Sequence, residues 1–320
     1  MLLRMLRNQR SVLLKGVVAL LVMAVFICFN LEATLMFLIQ TKHALFHEKY
    51  QDGIPGLASP LEESDRLWEF AHTMQYKCEN PKRIGGDNGV GDGSYEICLE
   101  SKHWPLTTDP NYKCLVYSFG VGDDLSFDDA LAKMGCEVHS FDPSMNWEDG
   151  KVFPSGVTFH KIGISQWDIE KDENGWKMRS LKTLLKELGH SGRIIDILKV
   201  DTDAPMGGGF EDMLMQEMLD TDLHQCVRQF VLEIHIPGPI AEPKWLNRCR
   251  RVYRQMSHLS NLGYKTFNMT DNVRYLQNIH HNPSLTAENG VRPYLIYSHR
   301  AALYEISQVN VKVANSCPVS

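Results

Sequence analysis

An α/β fold, with a mostly parallel sheet of seven strands and helices on both faces, is what the sequence predicts. Three observations predict it. Short apolar, β-rich runs alternate with segments of helical spacing from Cys114 to Ser298. The stretch Cys114–Pro143, CLVYSFGVGDDLSFDDALAKMGCEVHSFDP, reads as one complete βαβ unit. Its glycine turn is followed, twenty residues past Gly122, by Asp142 at a strand end.

Cys114–Phe119 has the length and makeup of a buried parallel strand. In the loop Gly120-Val121-Gly122-Asp123-Asp124, two glycines let the backbone approach a ligand closely. Ser126 with Asp129 reads as an N-cap pair opening a helix Phe127–Met134, which Gly135 stops. Glu137–Phe141 is the second strand and ends on Asp142, placed to accept hydrogen bonds from ribose hydroxyls. Val157–Ile162 is the third strand, with Gly163-Ile164-Ser165 at its carboxyl end, near an adenine. Arg179–Leu188 has helical spacing, and Ile194–Val200 is an unbroken apolar strand ending in Asp201. A short helix Glu211–Leu219 and a strand Phe230–Ile236 follow. Trp245–Leu262 reads as a long amphipathic helix whose Arg248, Arg250, Arg251 and Arg254 form a solvated face. Tyr264–Asn268 and Tyr294–Ser298 finish the sheet.

The chemistry of the loop separates two ligands. A dinucleotide site wants a third glycine, because its pyrophosphate rests on the helix N-terminus. That position is Leu125, and Asp123 and Asp124 put negative charge where phosphates would lie. Those acids suit a cofactor with no phosphate and a positive charge, such as S-adenosylmethionine. A structural βα turn without ligand is the bland alternative.

The stretches YSFGVGDDLSFDDAL, GCEVHSFDPSM and RQFVLEIH resemble the membrane-anchored family of the methyltransferase-like protein 24 type. The resemblance runs from about Cys78 to Tyr297. It implies a Rossmann-like class I methyltransferase fold that uses S-adenosylmethionine, with an antiparallel last strand. The acid that methyltransferases often carry two residues before the first glycine is Ser118 here. Lys199-Val200-Asp201-Thr202-Asp203 resembles the Lys-x-Asp-x-Glu of the fourth strand in related enzymes. The cofactor-binding set is therefore Ser118, Gly120, Gly122, Asp142 and Asp201.

Glu233 and His235 alternate on one strand and share a face. A hydroxyl acceptor must lose a proton as it attacks the methyl group. His235, with an ordinary pKa near 6.5, is placed to take it, and Asp201 is the second catalytic candidate. An Asp/Glu/His set also suits a divalent metal, though the spacing demands none. Two rival functions stay open: a nicotinamide-dependent oxidoreductase, disfavoured by Leu125 and the two acids, and a non-catalytic binding or scaffold module.

Arg4, Arg7, Arg10 and Lys15 precede an apolar segment, Gly16–Phe29, that continues to Ile39. This predicts a cytosolic tail over 1–11, a transmembrane signal anchor over 12–39, a stem over 40–75 and a methyltransferase domain over 76–320. The expected location is that of a single-pass type II membrane protein of the Golgi or endoplasmic reticulum, with its domain in the lumen. A cleaved signal peptide and a secreted protein form the alternative. Seven of the eight cysteines follow the anchor, where disulfides are expected, and their odd number leaves one over. Cys78 with Cys98 is the pair anticipated, and Asn268-Met269-Thr270 is a glycosylation sequon. Between those cysteines, Gly85–Gly93 reads as a flexible loop or as a lid over the cofactor. The net charge of −6, without a basic stripe, argues against a nucleic-acid partner.

Overall fold

The computed structural model describes residues 59–86, 93–203, 209–236, 242–271 and 303–319. Helix α1 (Pro60–His72) starts on a capping box made by Ser59 and Glu62. A hairpin of β1 (Pro81–Ile84) and β2 (Tyr95–Cys98) follows, with Pro81 opposite Cys98 and Ile84 opposite Tyr95. The chain then runs through β3 (Leu115–Phe119), α2 (Ser126–Lys133), β4 (Glu137–Phe141), β5 (Thr158–His160), β6 (Gly163–Ile164) and β7 (Met178–Arg179). It continues through α3 (Leu181–Glu187), β8 (Ile195–Val200), α4 (Glu211–Asp220), β9 (Val227–His235), α5 (Pro243–Leu262), β10 (Tyr264–Asp271) and β11 (Leu303–Asn310).

Seven strands make one sheet in the order β10-β11-β9-β8-β3-β4-β5. Neighbours from β9 to β5 are parallel, while β11 is antiparallel to both β9 and β10. The chain leaves β3 outward through β4 and β5, then returns to β8 on the other side of β3. The β3/β8 boundary is thus the switch point beyond which such sheets bind ligands.

Side chains alternate across the sheet and build two cores. Leu115, Tyr117 and Phe119 face a cluster with Leu67 and Ala71 of α1, Leu184 of α3, Met215 of α4 and Val252 of α5. Val116, Val138, Ile197 and Val231 face Phe127 and Leu131 of α2 and Tyr95 and Ile97 of the hairpin. One face is therefore covered by four helices, the other by one helix and a hairpin. Each large apolar side chain so buried contributes about 1.5–3 kcal/mol.

Several expectations need correction. Helix α1 falls within the expected stem, 40–75, but Leu67 and Ala71 are 1% and 0% exposed, so it belongs to the domain core. The arginine face of α5 is not solvated: Arg248 reaches Glu211 and Asp212, Arg250 reaches Glu63, and Arg251 reaches Asp212. Acids on α1 and α4 supply the partners that make burial of those guanidinium groups tolerable. Ser126 does not cap α2; the Asp124 carboxylate accepts the Ser126 N–H at 2.8 Å instead. Arg179 lies in β7, and Ser180 caps α3 by accepting the Thr183 N–H. The seventh strand is β11, whereas the expected Tyr294–Ser298 lies outside the described residues.

Cys78 and Cys98 are bonded as anticipated. Cys114–Cys136 clips the start of β3 to the start of β4, and Cys226–Cys317 ties the C-terminal segment to the start of β9. The cysteine left over is Cys249, buried in α5. The anchor region 12–39 lies outside the described residues, as do the tip of the Gly85–Gly93 loop and Ala204–Gly208. Among the described residues no helix is long and apolar enough to cross a membrane.

Candidate active site

The glycine loop is held from three sides. Gly120 N–H donates to Phe141 O at 2.9 Å, and Asp201 N–H donates to Phe119 O at 3.0 Å, so the β3, β4 and β8 ends are laced together. Gly120 has φ +76°, and a Cβ there would stand 1.5 Å from the Asp201 carbonyl oxygen. Its lack of a side chain is a packing requirement. Gly122, at φ +55°, has no atom within 4 Å of where a Cβ would be. That glycine faces open space.

Asp142 closes the loop. One carboxylate oxygen accepts the N–H groups of Val121 and Gly122 at 3.2 and 3.0 Å. The other accepts the Ser144 N–H and hydroxyl at 2.9 and 2.6 Å. Asp124 occupies the N-terminal end of α2 through Ser126 N–H, so a carboxylate already sits where a pyrophosphate would bind. The neck of the hairpin lies against the same acid, for a Cβ on Gly93 would come 3.3 Å from Asp124 Oδ2.

Ser118 is fully buried on the α2 side of the sheet, beside Asp128. Burial raises the Asp128 pKa, and the nearby Lys199 charge and the Ser140 hydroxyl oppose the rise. A carboxylate absent at position 118 is thus supplied from helix α2. Lys199 Nζ donates to Gly120 O at 2.8 Å and lies 3.5 Å from Asp201 Oδ2, bridging the loop to the next strand.

Beyond the ends of β8 and β9 lies a cluster of charge. Tyr95 of the hairpin donates its hydroxyl to Asp201 Oδ2 at 2.8 Å. His235 Nε2 lies 3.2 Å from both Glu233 Oε2 and Asp203 Oδ1. Its other nitrogen faces Glu211 Oε1 at 3.7 Å, and that oxygen also takes the His235 N–H and Arg248. Burial would discharge His235, yet Asp203, Glu211 and Glu233 hold its pKa well above the usual value. Those acids favour the charged ring of His235, the base expected from the sequence, and a charged imidazole has no free lone pair to take a proton. Burial, then the charge of Asp201, pushes Glu233 up to about 7. Asp201 goes the other way: burial would raise it, but Lys199 and His235 outweigh that and lower it. The pair Asp201 and Glu233, joined by a hydrogen bond, therefore keeps one proton that leaves near neutrality.

One donor atom from each of Asp201, Glu233 and His235 lies within 4.8 Å of the others, a set of the kind that holds a divalent ion. Lys199 and the charged His235 already balance those acids, so the cluster demands no ion. Gly120, Gly122, Asp142, Asp201 and His235 are brought to one end of the sheet, whereas Ser118 is packed beneath it. Asn268 lies on the edge strand β10 and is half-buried. Sequence reasoning missed Tyr95, for a lone tyrosine in a short strand gives no signal, and gave Glu233 less weight than its neighbour.

Comparison with known proteins bears on the same residues. Residues 36–282 match a family described as a methyltransferase domain. The human protein named "Probable methyltransferase-like protein 24" is 27% identical over 186 residues, covering 56% of this chain and 48% of that protein. Its rat counterpart of the same name is 27% identical over 186 residues, covering 56% and 49%. The chain thus spans about half the length of the curated relatives it matches. No solved structure matches it. With the family match covering most of the chain and the sheet order in hand, the chain belongs to the methyltransferase-domain family.

Proposed function

We propose that the protein is an S-adenosylmethionine-dependent methyltransferase acting on a hydroxyl group of a glycan, protein or small molecule. The observation that carries the choice of cofactor is Asp124 on the first N–H of α2. It supports a nucleoside ligand without phosphate and disfavours the nicotinamide alternative. The open space at Gly122 and the strand-end acid Asp142 fit such a ligand, Asp142 toward its ribose and the glycine loop beneath it. Since Asp142 already accepts four hydrogen bonds, the Ser144 hydroxyl is the one that rotates away for a ribose hydroxyl. When bound, S-adenosylmethionine supplies an electrophilic methyl group on a sulfonium.

The chain's own residues then orient the acceptor and remove its proton. Glu233, with a pKa near the working pH, is the group suited to take it. Asp201 stays ionised and receives the hydrogen bonds of Tyr95 and Glu233. His235 and Lys199 hold the acids in place as fixed positive charges.

The same reading places the domain in the lumen of the secretory pathway on an N-terminal anchor. Three disulfides among the described residues support an oxidising compartment. Calorimetric titration of the full chain with S-adenosylhomocysteine and with NAD tests the cofactor. Binding of the first and not the second is expected. Binding of NAD, or of neither, overturns the reading in favour of an oxidoreductase or a scaffold module.

A further inference from the structure

The sheet carries a second cluster of donor groups, at the end away from the glycine loop. Glu137 and His139 stand at the start of β4 on the same face, and His190 lies in the turn between α3 and β8. Glu137 Oε1 is 3.2 Å from His139 Nε2 and 3.0 Å from His190 Nε2. Donor atoms of all three residues lie within 4.8 Å of one another. Both histidines are buried, 8% and 5% exposed, while the Glu137 side chain is 47% exposed. The cluster thus opens to solvent on the carboxylate side.

We infer that Glu137, His139 and His190 form a three-ligand site for a divalent cation of the zinc class, with a fourth position left to water. Two ligands about 2.0–2.1 Å from a tetrahedral zinc stand about 3.3 Å apart, close to the two spacings found here. Two imidazoles and one carboxylate are a donor set that zinc prefers to magnesium or calcium, which take oxygen. Each ring is also braced on its far nitrogen. His139 Nδ1 is 2.9 Å from His160 Nε2, and His190 Nδ1 is 2.8 Å from the Tyr117 hydroxyl. Such partners fix the ring plane and the tautomer of a metal-binding histidine. Glu137 is braced likewise, since its other oxygen takes Arg193 Nη1 at 2.6 Å and leaves Oε1 for the ion.

On binding, each ring carries its single proton at Nδ1, toward His160 Nε2 or the Tyr117 oxygen, and offers the Nε2 lone pair to the ion. No proton need leave the site. The ion would clip the start of β4 to the turn that leads into β8. Without it, the same residues are a closed hydrogen-bonded network, and experiment separates the two. The cluster is independent of the methyl-transfer reading, because it lies at the opposite end of the parallel strands from Gly120, Asp142 and Asp201.

The test is titration of the purified, chelator-treated full chain with cobalt(II) and then zinc. One equivalent of cobalt with the strong visible absorption of a four-coordinate centre, displaced by zinc, is expected. His190→Ala and Glu137→Gln should each weaken zinc binding by more than roughly a hundredfold, and Tyr117→Phe by about ten- to a hundredfold. His190→Cys should keep the ion and add a thiolate-to-cobalt band in the near ultraviolet. Unchanged near-ultraviolet circular dichroism shows that each variant is folded. Three results overturn the site: no cobalt uptake up to millimolar metal, wild-type affinity in His190→Ala, or loss of the ion in Glu233→Gln with retention in His190→Ala.

Discussion

The carboxylate of Asp142 accepts the backbone N–H of Gly122 at 3.0 Å, so the acid placed to read a ribose also clamps the turn beneath it. Two roles on one side chain change what a substitution does. Asp142→Asn keeps the shape but sets an amide N–H against backbone N–H donors. A lost hydrogen bond to a charged group costs about 1.5–3 kcal/mol. The variant should therefore lose roughly ten- to a hundredfold in S-adenosylhomocysteine affinity and also several degrees of thermal midpoint. Ser144→Ala removes only the hydroxyl and should leave both nearly as in wild type. Calorimetry with thermal melts distinguishes them; an Asp142→Asn protein that binds as wild type puts the pocket elsewhere.

The two glycines of the loop should part company. Gly120→Ala drives a Cβ to 1.5 Å from the Asp201 carbonyl oxygen and should fail to give folded protein. Gly122→Ala meets no atom within 4 Å and costs only the left-handed backbone, about 1–2 kcal/mol. It should fold and still bind S-adenosylhomocysteine more weakly, because its methyl group enters the space left for the ligand. Circular dichroism and calorimetry on the two variants decide this. Equal folding of both would contradict the close approach, and undiminished ligand affinity in Gly122→Ala would leave that space unused.

How much of this was legible depended on where polarity was buried. The βαβ unit stood out because Leu115–Phe119 is almost wholly apolar and buried on both faces, as a central parallel strand is. Strand β11 did not, since Glu305, Ser307, Gln308 and Asn310 are all buried along it. Their partners come from far away in sequence: Arg83 for Glu305, Thr266 for Gln308, and the carbonyls of His224 and Val227 for Asn310. The arginines of α5 misled for the same reason. The hairpin strands are only four residues each, and β1 carries two cations, so neither reads as a strand alone. At the site, Asp142 and the glycines followed from spacing. The protonation of His235 and Glu233 did not, because it depends on Asp203, Glu211 and Asp201 converging from other segments.

That convergence sets a pH profile. Glu233 binds its proton more tightly in the folded protein than an ordinary glutamate, up to about 7. The base form therefore appears only as pH rises through neutrality. Methyl transfer, measured as kcat/KM with an identified acceptor, should rise with pH to a plateau above about 7. Glu233→Gln should lose the rising limb and roughly a hundredfold or more in rate. The sign for stability is the opposite: a raised acid pKa favours the protonated folded state, so this residue's contribution declines between about pH 4.5 and 7. His235 acts in the same direction at higher pH, because a raised histidine pKa contributes fully below its unfolded value and is lost as pH rises through its folded one. A pH-independent rate in wild type would move the base away from Glu233.

The disulfides give the last expectation. Cys226 and Cys317 are 91 residues apart in sequence, so their bond closes by far the longest loop of the three. In the chain-entropy description a loop of that size contributes about 4–5 kcal/mol, against about 3 for the shorter ones. The bond also seats the C-terminal segment: Cys317 N–H donates to Gly192 O at 3.0 Å, and Ala314 N–H to Gln225 O at 3.1 Å. Both contacts lie at the amino ends of β8 and β9, beneath the parallel sheet and away from the glycine loop. Replacing Cys226 and Cys317 together by serine should therefore lower the denaturant midpoint more than replacing Cys114 and Cys136. It should leave S-adenosylhomocysteine affinity of the folded fraction unchanged. Cys249, buried with its thiol pKa pushed up to about 12 chiefly by burial, should resist alkylation until the protein is unfolded. Peptide mapping of the non-reduced protein from a secretory-pathway expression host should recover Cys78–Cys98, Cys114–Cys136 and Cys226–Cys317, with Cys249 as the thiol among the described residues. Full reduction of these six cysteines in the native protein would remove the support for a lumenal location.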